Sequence, residues 1–91
     1  MLNYLVKKAK YIEDYRVWLA FADGNSGEID LENKIKALSK NTGSVFKPLQ
    51  DVSYFKNFKI RGSTLAWKNE ADIAPERLYE LLIQQNNKKI K

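Results

Sequence analysis

The sequence predicts a small α+β domain in which a mainly antiparallel sheet of about five strands carries a mid-chain helix and a C-terminal helix. Three observations lead there. Residues 15–21, YRVWLAF, set Tyr15, Val17, Leu19 and Phe21 on one side and Arg16, Trp18 and Ala20 on the other, the period of two that belongs to a strand. Residues 31–41, LENKIKALSKN, return Leu31, Ile35 and Leu38 at helical spacing. From Ala74 onward, Pro75 stands at a first helical position and Leu78, Leu81 and Leu82 form a single apolar stripe.

In chain order, residues 3–12 contain Tyr4, Val6, Tyr11 and Ile12 and read as an opening strand, separated from the second by a turn at Glu13 and Asp14. Asp23-Gly24-Asn25 supplies the next turn, because Gly24 or Asn25 takes positive φ at low cost. A third strand from Ser26 to Leu31 completes a three-stranded antiparallel meander over residues 4–31. Asp30 is placed to cap the mid-chain helix and Glu32 favours its positive end, with the stop expected at Asn41 to Gly43. Pro48 argues against a central strand, so an ordered loop is expected around Pro48 and Leu49, then a helical turn from Asp51 to Phe55 capped by Asp51. Phe58 and Ile60 open a fourth strand, Arg61-Gly62-Ser63 turns, and Thr64 to Trp67 returns as the fifth. Ile73 precedes the last helix in a staple-like position, while Gln84 to Lys91 loses the apolar period and is expected to fray. Residues 1–87 thus read as one domain and 88–91 as a basic C-terminal tail.

Composition narrows the chemistry. A chain of 91 residues fits one domain, and the lack of both Cys and His removes thiol nucleophiles, imidazole bases and nearly every zinc or transition-metal site. Oxygen-ligand metals stay open, but nothing in the sequence brings together the carboxylate pairs Glu13/Asp14, Glu28/Asp30 and Glu70/Asp72. The glycines have no phosphate-loop spacing and the serines no nucleophile elbow. No catalytic residue, cofactor or metal is expected. The N-terminal MLNYLVKKAKY is neither a signal peptide nor a span, so a cytoplasmic protein without a membrane partner is expected.

The formal charge of +5, from 16 Lys plus Arg against 11 Asp plus Glu, invites a nucleic-acid reading. Lys88, Lys89 and Lys91 supply three of those charges, which leaves 13 against 11 over residues 1–87. The candidate nucleic-acid contacts are Lys34, Lys36 and Lys40, with further Lys at 7, 8, 10, 56 and 59, and Tyr54, Phe58 and Trp67 could stack on bases if exposed. The candidate protein interface is Trp18 with Arg16 and, later in the chain, Trp67. Trp18 lies on the strand face turned away from Val17 and Leu19, and an aromatic on an uncovered sheet face marks a protein interface more often than a cofactor box. Open edge strands point the same way, toward a protein partner or self-association.

A set of pieces in fixed order then stands out: V-x-L-x-F-x-D-G from Val17 to Gly24, E-I-D-L at 28–31, F-K-P-L-Q-D at 46–51, F-K at 55–56, and W-K-N-E-A-D-I-A-P-E-R-L-Y at 67–79. Together they resemble the domain-of-unknown-function family 2442 over nearly the whole chain. The resemblance implies structural roles for Asp23, Gly24, Asp30, Pro48, Leu49, Asp51, Trp67, Asn69, Asp72, Pro75, Leu78 and Tyr79. The family pattern has Pro and Gly where this chain has Lys68 and Glu70, and a non-Gly residue at 70 is expected to alter the backbone of that turn. The resemblance implies a fold like the N-terminal domain of a nitrifying-bacterium protein in which a helix-turn-helix domain follows. It brings no activity and no catalytic residues, and it favours a non-enzymatic protein-interaction module, antitoxin-like toward a small protein. The alternative is a nucleic-acid-associated regulator acting through its lysine clusters.

Overall fold

A computed structural model describes residues 4–40 and 43–90, with side chains described as far as residue 86. Asn3, at the start of the expected first strand, Asn41, at the expected helix stop, and Lys91 of the expected tail lie outside the described residues.

The alternating runs form strands β1 (Val6–Glu13), β2 (Arg16–Phe21) and β3 (Ser26–Asp30), an antiparallel meander in the order β1-β2-β3. The first turn is made by Asp14, which takes φ +48 in the absence of a glycine. The second uses Gly24 at φ +91, and the Asp23 carboxylate accepts from the Asn25 amide at 2.9 Å. Register places Tyr11, Val17 and Ile29 in one cross-strand row and Ala9, Leu19 and Gly27 in another, both on the face that meets the core. Lys10, Trp18 and Glu28 form a row on the opposite face.

Helix α1 (Glu32–Leu38) begins as expected, with the Asp30 carboxylate accepting from the Glu32 amide at 2.9 Å. Pro48 lies in a 3₁₀ turn, Lys47–Gln50, and Leu49 from that turn is fully buried. Helix α2 (Val52–Phe55) is capped by Asp51, whose carboxylate accepts from the Ser53 amide at 3.0 Å. Strands β4 (Lys59–Arg61) and β5 (Thr64–Ala66) close through Gly62 and Ser63, both at positive φ (+62 and +63), the backbone of a mirror-image hairpin turn. The five strands are therefore all antiparallel, divided between a three-stranded and a two-stranded sheet. The Val6 amide donates to the Ser63 carbonyl at 2.9 Å and ties the small hairpin to the edge of β1.

Helix α3 (Pro75–Ile90) starts at Pro75 and buries Leu78 and Leu82. It does not fray at Gln84, as the sequence suggested, but stays helical through residues 88–90 of the expected tail. Its second half is held by polar side chains, which leave no apolar period to read. The Gln85 amide accepts from the Asp30 N–H at 2.8 Å and donates to the Asp30 carbonyl at 3.1 Å, taking both outward groups of an edge-strand residue. Gly27 admits the helix: a Cβ there would lie 2.8 Å from Leu82 Cδ1 and 3.1 Å from Asn86 Nδ2. The core joins Val17, Leu19 and Ile29 of the sheet to Leu31, Ile35, Leu49, Phe55, Leu65, Trp67, Ile73, Leu78 and Leu82.

Candidate functional site

The helices and the small hairpin pack on one side of the three-stranded sheet, and its other side faces outward. Period two along each strand puts Lys8 and Lys10 of β1, Arg16, Trp18 and Ala20 of β2, and Ser26, Glu28 and Asp30 of β3 on that outer face. Its charge is ordered in the Trp18 row, with Lys10 on one side and Glu28 on the other, while at the end of β1 Glu13 lies opposite Arg16. Trp18 is half-buried, as are Arg16, Ala20 and Glu28, while Lys8, Lys10, Ser26 and Asp30 are exposed. Arg16 is held against Glu13 at 3.0 Å, and it helps line a shallow cleft of about 400 Å³ with Glu28, Ile29, Asp30 and Gln85.

Other candidate residues are not brought together. Trp67 is fully buried: its indole N–H donates to the Phe55 carbonyl at 2.8 Å, and its ring packs on Phe55 and Phe58. It offers no area to a partner or a base, a correction to its reading as an interface or stacking residue. The sequence could not separate a Trp on an uncovered face from one on the core side of a short hairpin strand. Lys34, Lys36 and Lys40 do not converge. Lys34 and Lys36 are two positions apart and project from different sides of α1, Lys36 pairs with Glu32 at 3.2 Å, and Lys40 lies beyond the helix end. The carboxylates also scatter, with Glu13 on Arg16, Glu70 3.7 Å from Arg61 and Asp30 on the α1 cap. Among the described residues no group of three or more Asp and Glu is placed to hold a metal ion.

The family-motif residues are absorbed in the fold. Asp23 receives the Tyr79 hydroxyl and the Asn25 side-chain amide, which stitches the β2–β3 turn to α3, and Tyr79 packs edge-on against Phe21 at 5.1 Å. The Tyr79 hydroxyl holds the Asp23 carboxyl below the usual range, and the same bond raises the Tyr79 phenol. Asp51 is likewise lowered, by the Ser53 hydroxyl and amide. Residues 67–72 form one closed turn: Trp67 N–H donates to Ala71 O at 2.8 Å, Glu70 N–H to Trp67 O at 3.1 Å, and Asp72 bridges to Ala66. Asn69 secures it from outside, its side-chain amide donating to Val45 O at 2.8 Å and its backbone N–H to the Tyr54 hydroxyl at 3.1 Å. Glu70 takes φ +76, so this non-glycine residue holds a left-handed backbone in the turn. The surrounding bonds hold it there.

One feature escaped the sequence reading. Tyr54, Asn57, Lys59, Trp67 and Lys68 line a cleft of about 380 Å³ between α2, β4 and the 67–72 turn. Lys56, Lys59 and Tyr54 were visible as basic and aromatic residues, but Lys68 registered only as a departure from the family pattern. Nothing in the spacing shows that it borders the same cleft as Lys59.

No helix among the described residues is long and apolar enough to cross a membrane. No curated protein and no solved structure matches the chain. The family model described as "Protein of unknown function (DUF2442)" matches residues 6–84, a span that contains the ordered pieces from Val17 to Tyr79, and the chain belongs to that family.

Proposed function

We infer that the protein is a cytoplasmic, non-enzymatic protein-interaction module that docks through the outer face of its three-stranded sheet. The observation that carries this reading is the row Lys10–Trp18–Glu28, an aromatic between a basic and an acidic residue on a face without a packing layer among the described residues. The face is self-complementary. A two-fold axis parallel to the strands lays the basic β1 of one copy over the acidic β3 of another and brings the two Trp18 rings together, whereas an axis across the strands opposes like charges. A second copy of this chain is therefore the occupant the face fits best.

Strand spacing and rise give this face roughly 15 by 20 Å, about 300 Å² in projection per copy. That lies below the size of a stable interface, so association is weak and concentration-dependent. Sedimentation velocity over a wide concentration range tests it. The expected result is a reversible dimer that weakens with salt and is lost in Trp18→Ala and Lys10→Glu, with dimerisation recovered when Lys10→Glu is mixed with Glu28→Lys. A chain that stays monomeric at every concentration sinks self-association. An antitoxin-like role is the narrower case of this reading, and it would use the same face and lose its partner on Trp18→Ala.

A further inference from the structure

The cleft between α2, β4 and the 67–72 turn lies apart from the outer sheet face, and it has the chemistry of an anion site. Two ammonium groups border it, Lys59 and Lys68, both exposed. Neither pairs with a carboxylate among the described residues: the ion pairs there are Arg16–Glu13, Lys36–Glu32, Arg61–Glu70 and Arg77–Glu80. No Asp or Glu lines the cleft, and the nearest in sequence, Glu70, is engaged with Arg61. Tyr54 adds a third donor. Its oxygen already accepts the Asn69 N–H at 3.1 Å, and its own proton has no acceptor among the described residues. The Asn57 side-chain NH₂ is committed to the Ser53 carbonyl at 2.9 Å, which fixes the amide at the rim. The buried Trp67 closes the floor.

We propose that this cleft binds a small phosphate monoester. Two unpaired ammonium groups match the charge of a monoester near pH 7, about −1.5 to −2, better than that of a single carboxylate, and lysine serves phosphate as a point charge without a fixed fork. The volume of about 380 Å³ is larger than a phosphate group needs and falls at the lower end for small-molecule sites, which leaves room for an organic body against Tyr54. The site does not depend on Trp18 or on self-association.

The test is a titration of the isotope-labelled full chain, followed by amide chemical shifts, with 5′-AMP, with glycerol 3-phosphate as a monoester lacking a base, and with adenosine as the body lacking phosphate. The expected result is saturable shifts centred on Tyr54, Asn57, Lys59 and Lys68 for at least one monoester and none for adenosine. The Lys59→Gln/Lys68→Gln variant, with an otherwise unchanged spectrum, should bind about tenfold more weakly, the loss expected for two exposed charge-assisted contacts. Lys36→Gln/Lys40→Gln removes the same charge outside the cleft and should leave binding unchanged. Failure of both monoesters to saturate, equal binding of adenosine, or an equal loss in the two double variants would overturn the proposal.

Discussion

Glu70 offers a test of how the 67–72 turn is held. Its φ of +76 lies in the left-handed region, where a residue with a Cβ is disfavoured by roughly 1–2 kcal/mol. Replacing Glu70 with Gly removes that strain. Against the gain stand the extra freedom of glycine in the unfolded chain, about 0.5–1 kcal/mol, and the exposed pair with Arg61 at 3.7 Å, worth a few tenths to about 1 kcal/mol at most. At mid-range these terms nearly cancel, so Glu70→Gly is expected within about 0.2 kcal/mol of the parent, a Tm difference of roughly 1 °C. Glu70→Ala is the deciding comparison, because it keeps the Cβ and the strain while losing the same ion pair, and it should be no more stable than the parent. Urea and thermal unfolding followed by circular dichroism measure all three chains. If Glu70→Gly proves no more stable than Glu70→Ala, the turn does not store the strain assigned to it.

Gly27→Ala should destabilise by up to about 1 kcal/mol in urea unfolding, because the new methyl would force the buried Leu82 side chain and the Asn86 amide to shift. Gln85→Ala exposes both outward groups of Asp30; it should cost about 0.5–1.5 kcal/mol and speed amide exchange at Asp30 and along the end of α3, which hydrogen exchange reads directly. The Asp23–Tyr79 bond gives a pH dependence with a defined sign. The Asp23 carboxyl is lowered in the fold, so its contribution is present above the unfolded value of about 3.9 and is lost as pH falls through the folded one. Tyr79 is raised, so its contribution is present below about 10 and is lost as pH rises through its folded value. Tyr79→Phe should flatten both limbs of the stability-against-pH curve, and an unchanged acid limb would show that the hydroxyl does not hold Asp23.

The parts of the fold legible in the sequence were those governed by local rules. Alternation in Arg16 to Phe21 gave β2 and its two faces, Asp30 and Asp51 gave two helix caps, and Pro75 gave the start of α3. What stayed hidden depended on contacts distant in sequence. Helix α3 continues past Gln84 because Gln85 reaches the backbone of Asp30, 55 residues away, and no apolar period records such a clamp. Trp18 and Trp67 look alike as strand aromatics, yet one lies half-buried on an outer face and the other under Phe55 and Phe58, a difference set by which side of each strand the helices take. The cleft at Lys59 and Lys68 needed the tertiary fold, since it joins a hairpin strand to a turn about ten residues further along the chain, and Lys68 stands in that turn only as a departure from the family pattern.

Those departures bear on where function can reside. The motif residues Asp23, Asp30, Asp51, Asn69 and Tyr79 use their polar groups in turns, caps and the α3 contact, and Leu49, Trp67 and Leu78 are buried in the core. A polar group already held in such a bond is poorly placed to change partners, because releasing it costs the bond that positions it. The groups with unused capacity are elsewhere: Lys10 and Glu28 around Trp18 on the outer face, and Lys59, Lys68 and the Tyr54 hydroxyl around the cleft. The motif residues therefore specify the scaffold, and the proposed cleft is bordered by Lys59, which lies outside the motif, and by Lys68, where the chain departs from it. Exchanging Lys59 and Lys68 for neutral residues should leave Tm nearly unchanged while weakening anion binding about tenfold. Altering Asp23 or Asn69 should do the reverse, lowering Tm without a selective effect on any ligand.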